Sequence, residues 1–569
     1  MTGLNPNHTC ADVIAQTLHE AGVRFAFGHP GGEVLELIDA LERSGIRFVL
    51  TGHESTAAFM AAAVGRLTGI PGVCVATLGP GACNLVLGVG TAYLDRDPVL
   101  AITARTSTER HHRSNKQNLP LIDLFTPITR WSVDLEGADV GETVKTALSV
   151  AAGPPRGPVY LSLPSDVAGK PAGGPDSSAN PDSSVNPDSP ASAAGAASQE
   201  GQAGHGTAHP PHPAPADESD LPRILSTLNG AERPVAVVGI AMDAARDAQA
   251  VRRFLRDTGL PYATTVQAKG IADEHGDRFL GTIAPAAGED RIIEWLQQSD
   301  CVLGIGFDPV EVSRLWHFDA PLQIVANAPV GFGTYTPPAA CVGDVSALLG
   351  RIAEGYRGRC RWTADDIGYL KARVDAVYHP PSEEGPEGMS PYHLVGALRE
   401  LLPEDTVVSS DVGAHKNVMG QRWRAPEPGT FLMSNGLSSM GYGVGAAMGA
   451  AMALPDRPVA AITGDGAFAL MVQELETVRR TGIAPLIVVL YDASLAVIKI
   501  AQQARKLPVT GVDFAPVDWV KVAEGFGIDA EAVSTLDETR DAVSRWVRRR
   551  EARVLVAPVD ERLYTGLKY

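Results

Sequence analysis

Between residues 459 and 494 the chain reads VAAITGDGAFALMVQELETVRRTGIAPLIVVLYDAS, and two aspartates in it are placed to do chemistry. An apolar run ends on Gly464-Asp465-Gly466, and a second apolar run ends on Tyr491 and Asp492. Flanking glycines let a backbone turn tightly and approach a ligand closely, while the acid between them points off the end of its strand. Gly-Asp-Gly taken alone reads better as a strand-to-helix turn with Asp465 as the helix cap. Asp492 changes that balance. It lies 27 residues on, after one helix and one strand, which is the return path of a β-α-β unit to a neighbouring strand end. Two hard oxygen ligands would then meet beside a helix N-terminus, where amides and dipole favour an anion. Magnesium suits such a place, because it takes few carboxylates and completes its octahedron with phosphate oxygens and water. The spacing predicts a metal-bound diphosphate.

Strand–helix alternation supplies the scaffold. Short β-rich runs recur as RFAFG, RFVLTG, GVCVATLG, PVLAITA and PVYLSLP, then PVAVVG, PYATTV, DCVLGIG and LQIVAN. A third series follows as TVVSSDVG, TFLMSNG, PVAAITGDG, PLIVVLYDAS and RVLVAPVD. Amphipathic segments separate them, so the fold class is α/β, with three doubly wound parallel-sheet domains over residues 1–168, 221–355 and 385–569. Ligands in such sheets sit at the carboxyl ends of strands, where the marked residues cluster. Residues 169–220 are rich in Pro, Gly, Ser and Ala, nearly repeat NPDSS as NPDSP, and lack large apolar side chains. That composition predicts a disordered linker, with solvated histidines at 205, 209 and 212.

Bulk properties exclude several functions. Lys and Arg number 48 against 66 Asp and Glu, a net charge of −18 that argues against a nucleic-acid or anionic-membrane surface. The six cysteines form no CxxC pair, so neither a zinc site nor a disulfide framework is expected and a reducing cytoplasm is the default. A secretory leader and a membrane span are not expected either.

The diphosphate motif resembles that of thiamine-diphosphate enzymes, in which GDG is followed about two dozen residues later by Asn or Asp. By that resemblance Gly464, Asp465, Gly466 and Ala467 contact the cofactor, and Asp465, Asp492 and the Ser494 carbonyl hold Mg²⁺. Asp in place of Asn at 492 is found in the FAD-independent catabolic acetolactate synthases. A second match covers VLTGHESTAAFMAAAVGRLTGIPGVCVATLGPGACNLVLGVGTAYLDRDPVLAITA, similar to the pyrimidine-binding domain of the acetolactate synthase group. There Glu54 matches the glutamate on the aminopyrimidine ring, whose carboxyl favours the imino tautomer that deprotonates the thiazolium carbon. SNGLSSMGYG resembles the segment that props the cofactor in its bent shape, with Met440 as the prop and the Ser438 carbonyl near the 4′-amino group. DVGAHKN resembles a diphosphate-contacting turn, giving Gly413, Ala414 and His415. Residues 77–84, TLGPGACN, look like an active-site loop. Gln117 falls where acetolactate synthases carry a reactive-site Gln, and Arg130 stands where they usually have Lys. His111 and His112 are suggestive of the paired histidines of pyruvate decarboxylases, and equally of a solvated loop.

Three comparisons within the family define the expected reaction. Pyruvate-type decarboxylases carry a proton-donating Glu six residues past the Asn/Asp ligand, and here that position is Ile498. Without that donor, capture of the carbanion by a second carbonyl compound is favoured. Neighbouring Lys499 could reach a carboxylate or snorkel outward. The stretch GFDPVEVSRLW is similar to the GYDPIE of the catabolic group rather than to the RFDDR-like stretch of FAD-bearing synthases, so FAD is not expected. Gln117 fits the synthase pattern. The resemblance therefore implies decarboxylation of a 2-oxo acid, pyruvate, and transfer to a second 2-oxo acid, in a homodimer or homotetramer whose Glu54 meets the Asp465 site of another subunit. A 2-oxo acid decarboxylase or carboligase with another substrate is the alternative. A Rossmann-type oxidoreductase would need GxGxxG after a first strand, and FGHPGGEV and VVGIAMDA do not supply it.

Overall fold

The computed structural model describes residues 8–569 except 112, 114, 138, 173–214, 285–286, 313–315, 317, 331–335, 381 and 568–569. His112, the three linker histidines and most of the stretch read as a linker lie outside the described residues.

Val-, Ile- and Ala-rich runs flanked by amphipathic helices become strands buried on both faces, and they assemble into three six-stranded parallel sheets. The first holds β1 (Phe25–His29), β2 (Arg47–Leu50), β3 (Gly72–Ala76), β4 (Val99–Arg105), β5 (Trp131–Asp134) and β6 (Val159–Pro164), in the order β2-β1-β3-β4-β6-β5. The second holds β7 (Pro234–Val238), β8 (Tyr262–Thr265), β9 (Phe279–Ile283), β10 (Cys301–Ile305), β11 (Leu322–Ala326) and β12 (Ala339–Val342), ordered β12-β11-β10-β7-β8-β9. After a two-stranded antiparallel pair, β13 (Glu384–Gly385) with β14 (Gly388–Met389), comes the third sheet. It holds β15 (Val407–Ser410), β16 (Phe431–Met433), β17 (Val459–Gly464), β18 (Leu486–Tyr491), β19 (Asp529–Ala532) and β20 (Arg553–Pro558), ordered β16-β15-β17-β18-β20-β19. The first and third sheets share one topology. The middle sheet has the strand order of dinucleotide-binding domains, although its first turn lacks their glycine pattern.

Two helices join the outer domains. Glu54–Thr68 is alanine-rich and buried nearly all round, as is Tyr442–Ala453, so both must pack against protein on every side. Glycines permit their contact: a Cβ on Gly445 would stand 2.8 Å from the Phe59 Cβ, and one on Gly449 would stand 2.4 Å from the Met60 carbonyl oxygen. Phe59 meets Tyr442 edge-on, with ring centroids 5.8 Å apart. Beside this seam the fully buried Glu474 accepts from the amides of Gly52 and His53, both at 3.0 Å. One apolar cluster accordingly runs from Phe59 and Met60 through Tyr442 and Met448 to Phe468.

Gly449→Ala is expected to lower the thermal midpoint, because overpacking a rigid backbone contact costs about 1–3 kcal/mol. Gly396→Ala, in the helix Pro391–Leu401 with nothing within 4 Å of the added Cβ, should leave the midpoint unchanged or raise it. Differential scanning calorimetry of the two variants checks the contrast.

Candidate active site

Strand register puts the two aspartates side by side. Gly464 pairs with Leu490 across β17 and β18, so Asp465 and Asp492 emerge at adjacent strand ends. Asp465 opens the helix Asp465–Met471, preceded by Gly464 as its cap residue, and its Oδ1 accepts from the Gly466 amide at 2.9 Å. The Ala493 amide also donates to it. Asp492 Oδ1 accepts from the Ser494 amide at 3.0 Å and its hydroxyl at 3.1 Å. Ala493 adopts a left-handed φ of 53° to make the turn between them. Burial raises the Asp465 carboxyl to about 6. Burial and then the charge of Asp465, with Glu561 adding less, raise Asp492 to about 7. Two partly dehydrated acids that repel each other form a site that a divalent cation would stabilise. Among the described residues no group of three His, Cys, Asp or Glu could hold a metal. Two carboxylates at adjacent strand ends are a donor set that a hard cation such as Mg²⁺ would fit, with backbone, phosphate and water oxygens for the rest.

The wall opposite is built after β15. Asp411, fully buried at that strand end, accepts from the amides of Val412 and Gly441 at 2.8 Å each, and from that of Gly443 at 3.1 Å. Burial lifts its carboxyl to about 6 against those bonds. Its grip fixes the Gly413–His415 turn and the Gly441–Gly443 turn together. The His415 ring lies against Gly413 and Gly464, where added Cβ atoms would come within 2.9 and 3.4 Å of it. Burial pushes His415 down to about 4, the ring donates to the Asp411 backbone, and Nε2 is buried without a hydrogen-bond partner. An orphaned imidazole nitrogen beside Gly413, Ala414, Gly464 and the acid pair fits the edge of a diphosphate, which would draw a proton onto the ring. Ala467 is buried at the start of the same helix.

Ser438 and Met440 stand on the turn after β16, both half-buried. Ser438 has a left-handed φ of 57°, and its hydroxyl takes a 2.7 Å hydrogen bond from the Lys416 ammonium while donating to the Asn435 carbonyl at 3.2 Å. Burial lowers Lys416 to about 8, with the Asp95 carboxylate acting the other way.

Glu54 belongs to the first sheet's crest. It begins the helix Glu54–Thr68, is buried, and its Oε2 accepts from Asn84 Nδ2 at 3.0 Å. Gly81, in the first turn of the helix Pro80–Asp95, which takes over from the loop expected for residues 77–84, leaves room for Glu54 Oε1, which would lie 3.1 Å from an added Cβ. Gln117, exposed and at a φ of 56°, packs against Gly79 of that loop. Glu54, Asn84 and Gln117 thus gather at one crest, and the acid pair at another. Glu54 shares no hydrogen bond with Asp465 or Asp492 among the described residues.

Other marked residues turn elsewhere. Lys499 pairs with Glu561 at 2.6 Å and with Asp513 at 3.1 Å, and Glu561 also accepts from the Ser494 hydroxyl at 2.9 Å. It buttresses the loop that carries Ser494 and is committed to carboxylates of the chain itself. Ile498, beside it, is 47% exposed. Arg130 donates to the carbonyls of Val150 and Gly153, at the C-terminal end of the helix Val140–Ala152. His111 is half-buried in the loop before Gln117, its carbonyl accepting from Asn118 at 2.6 Å. Asp411, Glu474, Asn84 and Lys416 carry no role in the sequence reading. Only the position of Asp411, two residues before a glycine at a strand end, could have flagged one of them.

Three family models match the chain in the order of its sheets. These are the thiamine pyrophosphate enzyme N-terminal TPP binding domain over residues 8–124, the central domain over 221–352, and the C-terminal TPP binding domain over 411–557. Among similar proteins, the acetolactate synthase of Bacillus subtilis (strain 168) is 29% identical over 97% of this chain and 93% of its own length. The catabolic acetolactate synthase of Raoultella terrigena is 28% identical over 97% of this chain and 95% of its own. The chloroplastic acetolactate synthase of Arabidopsis thaliana is 30% identical over 82% of this chain and 68% of its own. The chain belongs to the thiamine pyrophosphate enzymes, and within them to the acetolactate synthase family.

The raised carboxyls give this site a pH signature. A folded-state acid pKa above its ordinary value contributes stability at low pH that is lost as the pH rises through about 6 for Asp465 and about 7 for Asp492. Metal-free protein should therefore lose on the order of several kcal/mol between about pH 4 and pH 7. Mg²⁺ affinity should rise over the same interval, since only ionised carboxylates bind it. Melting curves with chelator and with Mg²⁺ across that range measure both slopes, and Asp492→Asn should flatten the chelator curve.

Proposed function

We propose that the protein decarboxylates a 2-oxo acid, pyruvate, and joins the retained two-carbon unit to a second 2-oxo acid, giving an acetolactate-type product. The observation that carries this reading is the acid pair at the adjacent ends of β17 and β18, with the orphaned His415 ring packed against Gly413 and against Gly464, the residue before Asp465. In it Asp465, Asp492 and the Ser494 carbonyl hold Mg²⁺, while Gly413, Ala414, His415, Gly464, Gly466 and Ala467 line the diphosphate. Thiamine diphosphate supplies the electron sink for the electrons released when the carboxylate carbon leaves.

The chain's own residues do the rest. Glu54, held by Asn84, sets the protonation of the aminopyrimidine ring. Met440 props the cofactor and the Ser438 carbonyl orients its amino group. Gln117 lies near enough to the same loop to meet substrate. Ile498 offers no proton, and Lys499 is tied to Glu561 and Asp513, so the metal loop itself supplies no acid to divert the reaction to an aldehyde. Glu54 and the acid pair stand on different crests of one chain. A homodimer, or a tetramer of two such dimers, in which Glu54 of one protomer completes its partner's site, accounts for that placement. FAD plays no part in this reading. In the turn after β7, where a dinucleotide's pyrophosphate would sit, the Ile240 amide donates instead to Glu311 at 3.1 Å. Glu311 is buried and raised to about 8 by that burial, with a further bond from Thr265. The reaction would take place in the cytoplasm.

A decarboxylase or carboligase acting on a different 2-oxo acid is the second reading. It is favoured by Arg130, whose guanidinium is engaged with the Val150 and Gly153 carbonyls where synthases usually carry Lys.

Incubation with pyruvate, Mg²⁺ and thiamine diphosphate should yield CO₂ and acetolactate, and Glu54→Gln should lose at least a hundredfold in rate, in line with a general acid–base contribution of about 10²–10⁴. Acetaldehyde as the main product would move the protein to the decarboxylases. Bound cofactor without turnover would show pyruvate to be the wrong substrate.

A further inference from the structure

Asp95 is the last residue of the helix Pro80–Asp95, and it is 1% exposed. A carboxylate there opposes the helix dipole and forgoes hydration. What it contacts explains its presence. Its Oδ1 accepts from the Asn435 amide at 3.0 Å, the Gly436 amide at 2.7 Å and the Gln267 side chain at 2.8 Å. Those partners come from the third domain and the central domain, so one oxygen of the first domain ties all three together. Approach is close: a Cβ on Gly436 would stand 2.5 Å from the Leu94 Cβ and 2.7 Å from its backbone.

The turn held in this way is the one that carries Ser438 and Met440. Asn435 is fastened a second time, its side-chain amide donating to the Glu311 carbonyl at 2.9 Å. Three residues on, Ser438 sits in the left-handed region at φ 57°, a conformation that a non-glycine residue keeps only where its surroundings over-determine it. The hydroxyl of Ser438 is clamped by Asn435 and by the buried Lys416 ammonium. Asp95 Oδ2 is buried without a hydrogen-bond partner, so the carboxylate is not a self-contained structural pair. At its other end, the same helix carries Asn84, the residue that holds Glu54.

We propose that Asp95 is a positioning residue for the cofactor: through the Asn435 and Gly436 amides it fixes the turn from which Ser438 and Met440 present themselves. The inference rests on the reading of those two residues as cofactor contacts. Asp95 itself touches neither cofactor nor substrate. Its carboxylate pre-orders a strained backbone, so that binding does not have to pay for ordering it.

The test compares wild type with Asp95→Asn and Asp95→Ala as full-length proteins. Hydrogen–deuterium exchange of the cofactor-free forms reads the turn directly, and tryptophan fluorescence reads thiamine diphosphate titrated in the presence of Mg²⁺. Loss of a charge-assisted acceptor should speed exchange in residues 434–441 by about tenfold or more in Asp95→Ala, and less in Asp95→Asn, which keeps one acceptor oxygen. Cofactor affinity should weaken in the same order, while protection of the strand Gly72–Ala76 stays as in wild type. Unchanged exchange over 434–441, or faster exchange with wild-type cofactor affinity, would overturn the inference. Loss of protection in Gly72–Ala76 in both variants would overturn it too, as Asp95 would then be supporting the fold at large. Failure of the wild type to bind thiamine diphosphate would sink the reading of the site and this inference with it. Wild-type binding with an unaltered Asp95→Ala would sink the inference alone.

Discussion

Backbone-to-backbone approach between the helices Glu54–Thr68 and Tyr442–Ala453 is the constraint on which the rest of the molecule depends. Gly445 and Gly449 lie one turn apart on the second helix and meet Phe59 and Met60 on the first. Any side chain there would push the first and third sheets apart. Because the seam runs alongside the crests of both sheets, the spacing it sets is also the spacing of Glu54, the Glu474 anchor and the helix that opens with Asp465. Small residues, usually a weakness in a helix interior, act here as the measure of a distance between two sheets.

The two sheets so joined have the same strand order, and each places its chemistry at the ends of its central strands, where the order reverses. In the third sheet those ends bear acids and glycines. In the first they bear the loop of residues 77–84 and the start of a helix. One topology thus serves two binding tasks, and the residue types at its switch point decide which. The central sheet follows a different order and contributes by contact, through Gln267 and Glu311, to the turn beneath Met440.

Much of this was legible in the sequence because the signals were local. Every interior strand of the three sheets reads as an apolar run, and Gly464-Asp465-Gly466 with Asp492 could be paired from spacing alone. The strands that escaped the sequence reading are β5, β9, β12 and β19, all at sheet edges. There one flank is free of a neighbour, so polar residues are tolerated, as in the Asp-Ala-Glu-Ala of β19. β9 is apolar, but Gly281 and a register shift against β8 interrupt its pattern. Asp95 and Glu474 were invisible for another reason. Each is a lone acid whose partners are backbone amides brought to it by the fold, and no spacing in the chain announces such a partner. Lys499 shows the converse: a residue suggestive by its neighbourhood proves to be engaged with Glu561 and Asp513.

Glu311 gives the central domain an unusual independence. Burial raises its carboxyl to about 8, and its Oε2 takes the Ile240 amide, at the turn where related sheets seat a guest's phosphate. A turn completed from within the chain holds its shape whether or not any nucleotide is at hand. The Ile240 amide at that turn therefore needs no phosphate oxygen to satisfy it.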